Sequence, residues 1–136
     1  MRELVVPATI EELPHVQEFV TGQLEEINCP MKIQFQIELA VEEIFVNIVN
    51  YAYRPEIGEA AILCEVTEDP LQVIISFLDH GKPFDPLKRQ EADTSVDALE
   101  EREGGLGILL VKKNMDDVSY RYEDGKNILV IRKNLA

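Results

Sequence analysis

Three features of the sequence predict a two-layer α+β sandwich, with helices packed on one face of a mixed, mainly antiparallel sheet. The first is the order of apolar periodicities along the 136 residues, which reads β-α-α-β-β-loop-α-β-β. The second is Val73-Ile74-Ile75-Ser76-Phe77-Leu78, so continuously apolar that it belongs at the centre of a sheet. The third is the pair of alternating segments on either side of Asp124-Gly125, a dipeptide that favours a tight hairpin turn.

Element by element, Leu4-Val5-Val6 is a short apolar run stopped by Pro7, which marks an edge strand. Thr9 and Glu12 form a capping-box pattern ahead of a helix over about residues 10–27, whose apolar face is Leu13, Val16, Val20, Leu24 and Ile27. Pro30 begins a second helix over about residues 30–52, where its missing N–H costs nothing. Ile33, Ile37, Ala40, Val41, Ile44 and Ile48 share one face of it. The helix is expected to stop near Arg54-Pro55, because the residue before a proline is pushed out of helical geometry. Strands follow at Ala61 to Val66 and Leu71 to Leu78, joined by the turn Glu68-Asp69-Pro70. From Gly81 to Glu103 the pattern dissolves into charge, a long loop with room for a short helix at Ser95 to Arg102. An apolar helix then runs from the glycines at 104–107 to about Lys113, and Val118 to Tyr122 and Asn127 to Arg132 complete the hairpin. No internal repeat appears, and residues 1–136 are expected to form a single domain.

Composition narrows the function. Thirteen basic and 26 acidic side chains give a net charge of −13, which repels nucleic-acid phosphates and anionic lipid. Direct contact with either is not expected. No apolar run approaches the ~20 residues needed to span a bilayer, and the start of the chain lacks a signal-peptide pattern. A soluble, cytoplasmic protein is the expectation. Cys29 and Cys64 are too isolated for a disulfide framework or a zinc site, and His15 and His80 stand alone.

Three clusters carry chemistry. Glu43 and Asn47 are four apart and stack on one helix face, with Asn50 a further three along, in an otherwise apolar stretch. A buried amide without a partner costs roughly 1–3 kcal/mol, so these side chains need a purpose. A carboxylate beside a carboxamide suits a hydrated Mg²⁺ or the orientation of a nucleophile, and equally a polar helix rim. Asp79-His80-Gly81 ends the central strand with an acid, able to accept from an exocyclic amine or simply to close a turn. Gly104-Gly105-Leu106-Gly107 puts unobstructed N–H groups at a helix start, where phosphate binds well. The Lys-Ser/Thr of a Walker loop does not follow it, and no strand precedes it as in a dinucleotide fold.

Together and in this order, the clusters resemble the boxes of the GHKL ATPases and kinases. Glu43-Ile44-Phe45-Val46-Asn47 is similar to the N box, Asp79-His80-Gly81 to the first glycine box and Gly104-Gly105-Leu106-Gly107 to the second. The size and the Asp79-to-Asp85 segment look most like the anti-sigma-factor serine kinases. The resemblance implies a Bergerat-type ATP-binding fold with about three helices over the sheet. It implies Asn47 as ligand to Mg²⁺, Glu43 as general base, Asp79 as acceptor for the adenine amine and Gly81 against the base. Asn50, Gly104, Gly105, Leu106 and Gly107 complete the nucleotide site, under a lid from about Lys82 to Glu103. The implied activity is an ATP-dependent serine/threonine kinase that phosphorylates an anti-sigma-factor antagonist and sequesters a sigma factor; homodimerisation is implied too. A nucleotide-controlled adaptor and an ATP-hydrolysing switch are the alternatives. Many relatives carry Gly-Thr before the last strand, where this chain has Gly125-Lys126-Asn127 and the asparagine amide would stand in. Relatives often have histidine in place of Tyr51.

Overall fold

The computed structural model describes residues 1–53, 56–87 and 105–135. Their elements are β1 (Arg2–Pro7), α1 (Leu13–Glu26), α2 (Met31–Tyr51), β2 (Glu59–Thr67), β3 (Gln72–Asp79), α3 (Gly105–Asn114), β4 (Asp117–Glu123) and β5 (Lys126–Asn134). The strands form one sheet in the order β1-β2-β3-β5-β4, and every pairing among them is antiparallel. As its apolar sequence requires, β3 is central, and β1 lies at an edge.

Side chains alternate across the sheet, so Val73, Ile75, Phe77 and Asp79 of β3 point to one face and are buried there. Ile62 and Cys64 of β2 and Leu129 and Ile131 of β5 share the same core. The helices cover it: α2 packs against β3, with α1 and α3 each packed against α2. Ile37, Val41 and the adjacent pair Ile44 and Phe45, three and four residues after Val41, are fully buried and form the contact stripe of α2. From α3, Val111 joins the core, as does Met115 just beyond its end.

The first helix begins differently from the capping-box expectation. Pro14 fixes the first turn of α1 at Leu13, and residues Ile10–Glu12 close a separate 3-10 turn. Thr9 makes no side-chain cap, and the Glu12 carboxylate lies 3.0 Å from Nδ1 of His15 instead. The β4–β5 turn matches expectation, with Asp124 and Gly125 both at positive φ, 53° and 76°. Arg54, Pro55, most of the charged loop with its expected helix at Ser95 to Arg102, and Gly104 lie outside the described residues.

Candidate functional site

The helix layer and the sheet part at one end to leave a pocket of about 40 Å³ that opens to solvent. Ile44, Asn47, Ile48, Tyr51 and Ala52 of the α2 segment form one wall. Phe77 and Asp79 of β3, Tyr120 of β4, and Asn127 and Leu129 of β5 form the floor. Phe84 and Pro86, just after β3, close the side, with the Phe84 ring stacked on Tyr51 at 5.4 Å and 21°. The walls are mostly apolar, and a few polar groups converge in them.

Asp79 is the last residue of β3 and only 5% exposed. Its Oδ1 accepts from the Gly81 N–H and from Nδ2 of Asn127, both at 2.9 Å. Among the described residues Oδ2 takes no bond, yet no buried side-chain nitrogen or oxygen there lacks a partner. Oδ2 therefore reaches the open space of the pocket. Burial pushes the Asp79 carboxyl up from its ordinary value, against the opposing pull of the Asn127 and Gly81 bonds and of His80. What remains is an acceptor in an apolar cleft, which suits an N–H donor of a planar ligand.

Asn47 follows the same logic. It is 8% exposed, lines the pocket, and its amide makes no hydrogen bond among the described residues. Without a partner among them, this nearly buried amide is arranged for something that enters the pocket. Glu43 stands one helical turn before it, half-buried and outside the pocket wall. Its carboxyl is pushed up by burial and then by the neighbouring charge of Glu42. Asn50 is half-buried and also outside the wall.

Gly81 does not line the pocket. A Cβ there would sit 2.2 Å from the Ala52 carbonyl oxygen, so the missing side chain lets the turn after β3 cross the end of α2. Lys82 N–H bonds that same carbonyl at 3.2 Å. Gly105, Leu106 and Gly107 open α3, whose N-terminal amides offer partial positive charge.

Phe77, Tyr120 and Leu129 line the pocket although nothing in the sequence marks them as site residues. Asn127, named above only as a stand-in, lies opposite Asp79 in the β3–β5 register. The hairpin around Asp124-Gly125 puts Tyr120 across from Leu129. The meeting of Asn127 with Asp79 needs a strand pairing 48 residues apart, for which no local signal exists. Among the described residues no three His, Cys, Asp or Glu side chains come together to hold a metal. A divalent ion held beside Asn47 would need further oxygens from a bound ligand.

Residues 6–133 match the family model described as "Histidine kinase-like ATPase domain". Among curated proteins, the chain is 28% identical over 134 residues to the serine-protein kinase RsbW of Bacillus thuringiensis subsp. konkukian (strain 97-27), covering 96% of this chain and 82% of that one. It is 25% identical over 134 residues to the enzyme of that name from Bacillus mycoides (strain KBAB4), with the same coverage. Among solved structures, the RsbU and RsbW domains of Rv1364c from Mycobacterium tuberculosis superpose with a TM-score of 0.70 at 16% identity. That match covers 99% of this chain and about a third of the other, 33%. The blue-light activated histidine kinase EL346 of Erythrobacter litoralis superposes with a TM-score of 0.59 at 18% identity, over 79% of this chain and 32% of the other.

Proposed function

Since this chain belongs to the histidine kinase-like ATPase family, we propose that it is an ATP-dependent serine/threonine kinase that also acts as an anti-sigma factor. The acceptor would be a small anti-sigma-factor antagonist, and the sequestered partner a sigma factor. Similarity to the RsbW serine-protein kinases supports this activity. The observation that carries the reading is Asp79 Oδ2, a bare acceptor in an apolar cleft beside the Asn47 amide, which has no partner among the described residues.

Each residue then has one task. Asp79 accepts a hydrogen bond from the adenine amine while Tyr51, Phe84 and Leu129 give the base apolar contact. Asn47 turns its carboxamide oxygen toward the phosphate end and would be the protein's ligand to Mg²⁺. Bound there, Mg²⁺ would neutralise charge building on the transferred phosphoryl group. The amides that open α3 face phosphate oxygens. Glu43 takes the proton of the incoming serine or threonine hydroxyl, and its raised carboxyl suits a base better than an ordinary one. The whole of residues 1–136 works as one nucleotide-binding unit in this reading, and the acidic surface leaves protein partners, not nucleic acid, as the route to transcription.

A second reading is a nucleotide-controlled adaptor that transfers no phosphate, and Glu43 standing outside the pocket wall favours it. One comparison separates the two. Wild type, Glu43→Gln and Asn47→Ala are incubated with Mg-ATP and purified antagonist, with phosphoprotein read by mass and nucleotide affinity by calorimetry. Glu43→Gln should keep its ATP affinity while transfer drops roughly 10²–10⁴-fold. Asn47→Ala should lose both. Wild-type transfer should decline in acid about a midpoint above the ordinary glutamate value, since a protonated Glu43 cannot accept. ATP binding with no phosphoprotein from wild type makes the adaptor reading the correct one.

A further inference from the structure

Asn127 is 6% exposed and bonds in two directions at once. Its Nδ2 donates to Asp79 Oδ1 at 2.9 Å and to the Lys82 carbonyl at 2.8 Å, with the Gly81 carbonyl at 3.4 Å. Its Oδ1 accepts from the Phe84 N–H at 3.1 Å and from the Tyr120 hydroxyl. A flipped amide would turn its N–H groups toward the Phe84 donor and its oxygen toward three acceptors, so only one orientation satisfies the network. The Phe84 N–H also lies 3.3 Å from the Tyr120 hydroxyl. One side chain thus ties the end of β3, the turn after it and the hairpin β4–β5 together.

We propose that Asn127 is a positioning residue that sets base selectivity, because it holds Asp79 and the Gly81–Phe84 turn in one register through the two ends of its amide. The inference rests on the reading of the pocket as a purine nucleotide site. Occupying Oδ1 of Asp79 leaves Oδ2 as the oxygen that meets the base, an acceptor that attracts an exocyclic amine and repels a carbonyl in the same place. Holding the Phe84 N–H keeps its ring on Tyr51, which fixes the width of the cleft. Producing both effects from one side chain requires the length and the two-ended chemistry of an amide. A threonine hydroxyl at this position keeps one donor for Asp79 but is too short to reach the turn as well.

The test measures ATP and GTP affinity by calorimetry in Mg²⁺ buffer for wild type, Asn127→Ala, Asn127→Thr and Tyr120→Phe. Amide exchange at Phe84 and Gly81 is followed by NMR in the same proteins. Wild type should prefer ATP. Asn127→Ala should lose about tenfold or more in ATP affinity, with a compressed ATP-to-GTP ratio and faster exchange at Phe84. Asn127→Thr should lose less affinity and show fast exchange at Phe84, while Gly81, bonded to Asp79, stays protected. Tyr120→Phe should fall between wild type and Asn127→Thr at Phe84. If the alanine variant does not fold, the threonine and Tyr120→Phe variants decide the matter. Selectivity and Phe84 exchange must both move in the Asn127 variants; either one staying at its wild-type value overturns the inference. Wild-type protein that binds neither nucleotide overturns the purine-site reading and the inference together, whereas variants that match an ATP-binding wild type overturn the inference alone.

Discussion

Asp79 is an ionisable group held where burial disfavours its charged form. Its folded carboxyl is held above the ordinary aspartate value by burial, so the folded chain binds that proton more tightly than the unfolded one. Stability from this group is therefore present in acid and is lost as pH rises from about 3.9, the unfolded value, through the raised folded one. Asp79→Asn removes the titration and keeps an oxygen for the Gly81 N–H and Asn127. Its melting temperature at pH 7 should equal or exceed that of wild type, with the difference shrinking toward pH 4. ATP affinity should fall about tenfold or more, because a donor then faces the adenine amine. A variant that melts several degrees below wild type at pH 7, or binds ATP unchanged, contradicts this account of Asp79. The sequence already marks Asp79 and Asn47 as anomalies, since polar side chains in apolar runs are legible locally. What it leaves hidden is how they are used: which oxygen of Asp79 is bare, and that Asn127 is what occupies the other.

At the scale of elements, the helix and strand periodicities are legible because each reflects one buried face. The α2 stripe lies where that logic puts it, and the continuously apolar run of β3 lies at the centre of the sheet. The start of α1 is not, because a capping box and a proline compete within five residues and Pro14 decides the outcome. Gly81 is a second case. Its identity suggests closeness to a ligand, but the close neighbour is the carbonyl end of α2. Gly81→Ala should cost roughly 1–3 kcal/mol through overpacking and should push the turn away from α2. Thermal unfolding together with the Lys82 amide shift reads both effects, and a wild-type melting curve would show that the crossing has slack. Of the glycine-rich segment, Gly105–Gly107 begin α3, and Gly104 lies outside the described residues.

In the molecule as a whole, one core holds helix layer and sheet together, and the pocket opens at one end of it. Ile75 sits fully buried in the central strand and outside the pocket wall. Ile75→Ala should lower stability by about 2–5 kcal/mol, as other buried large-to-small changes do. ATP affinity measured well below the new melting point should stay within a few-fold of wild type. A large affinity loss there would mean that core and pocket are not separable. The layer order is readable from periodicity, but the β1-β2-β3-β5-β4 arrangement rests on pairings between distant strands, and the pocket exists only because of them. The central claim is that the cleft between α2 and the β3–β5 floor binds ATP. Titrating Mg-ATP into labelled protein and following backbone amide shifts tests it directly. The largest shifts should fall on Asn47, Asp79 to Phe84, Asn127 and the first turn of α3. Shifts confined to another surface, such as the groove of Glu18, Glu25 and Glu38 between α1 and α2, or no shifts at millimolar nucleotide, would contradict it.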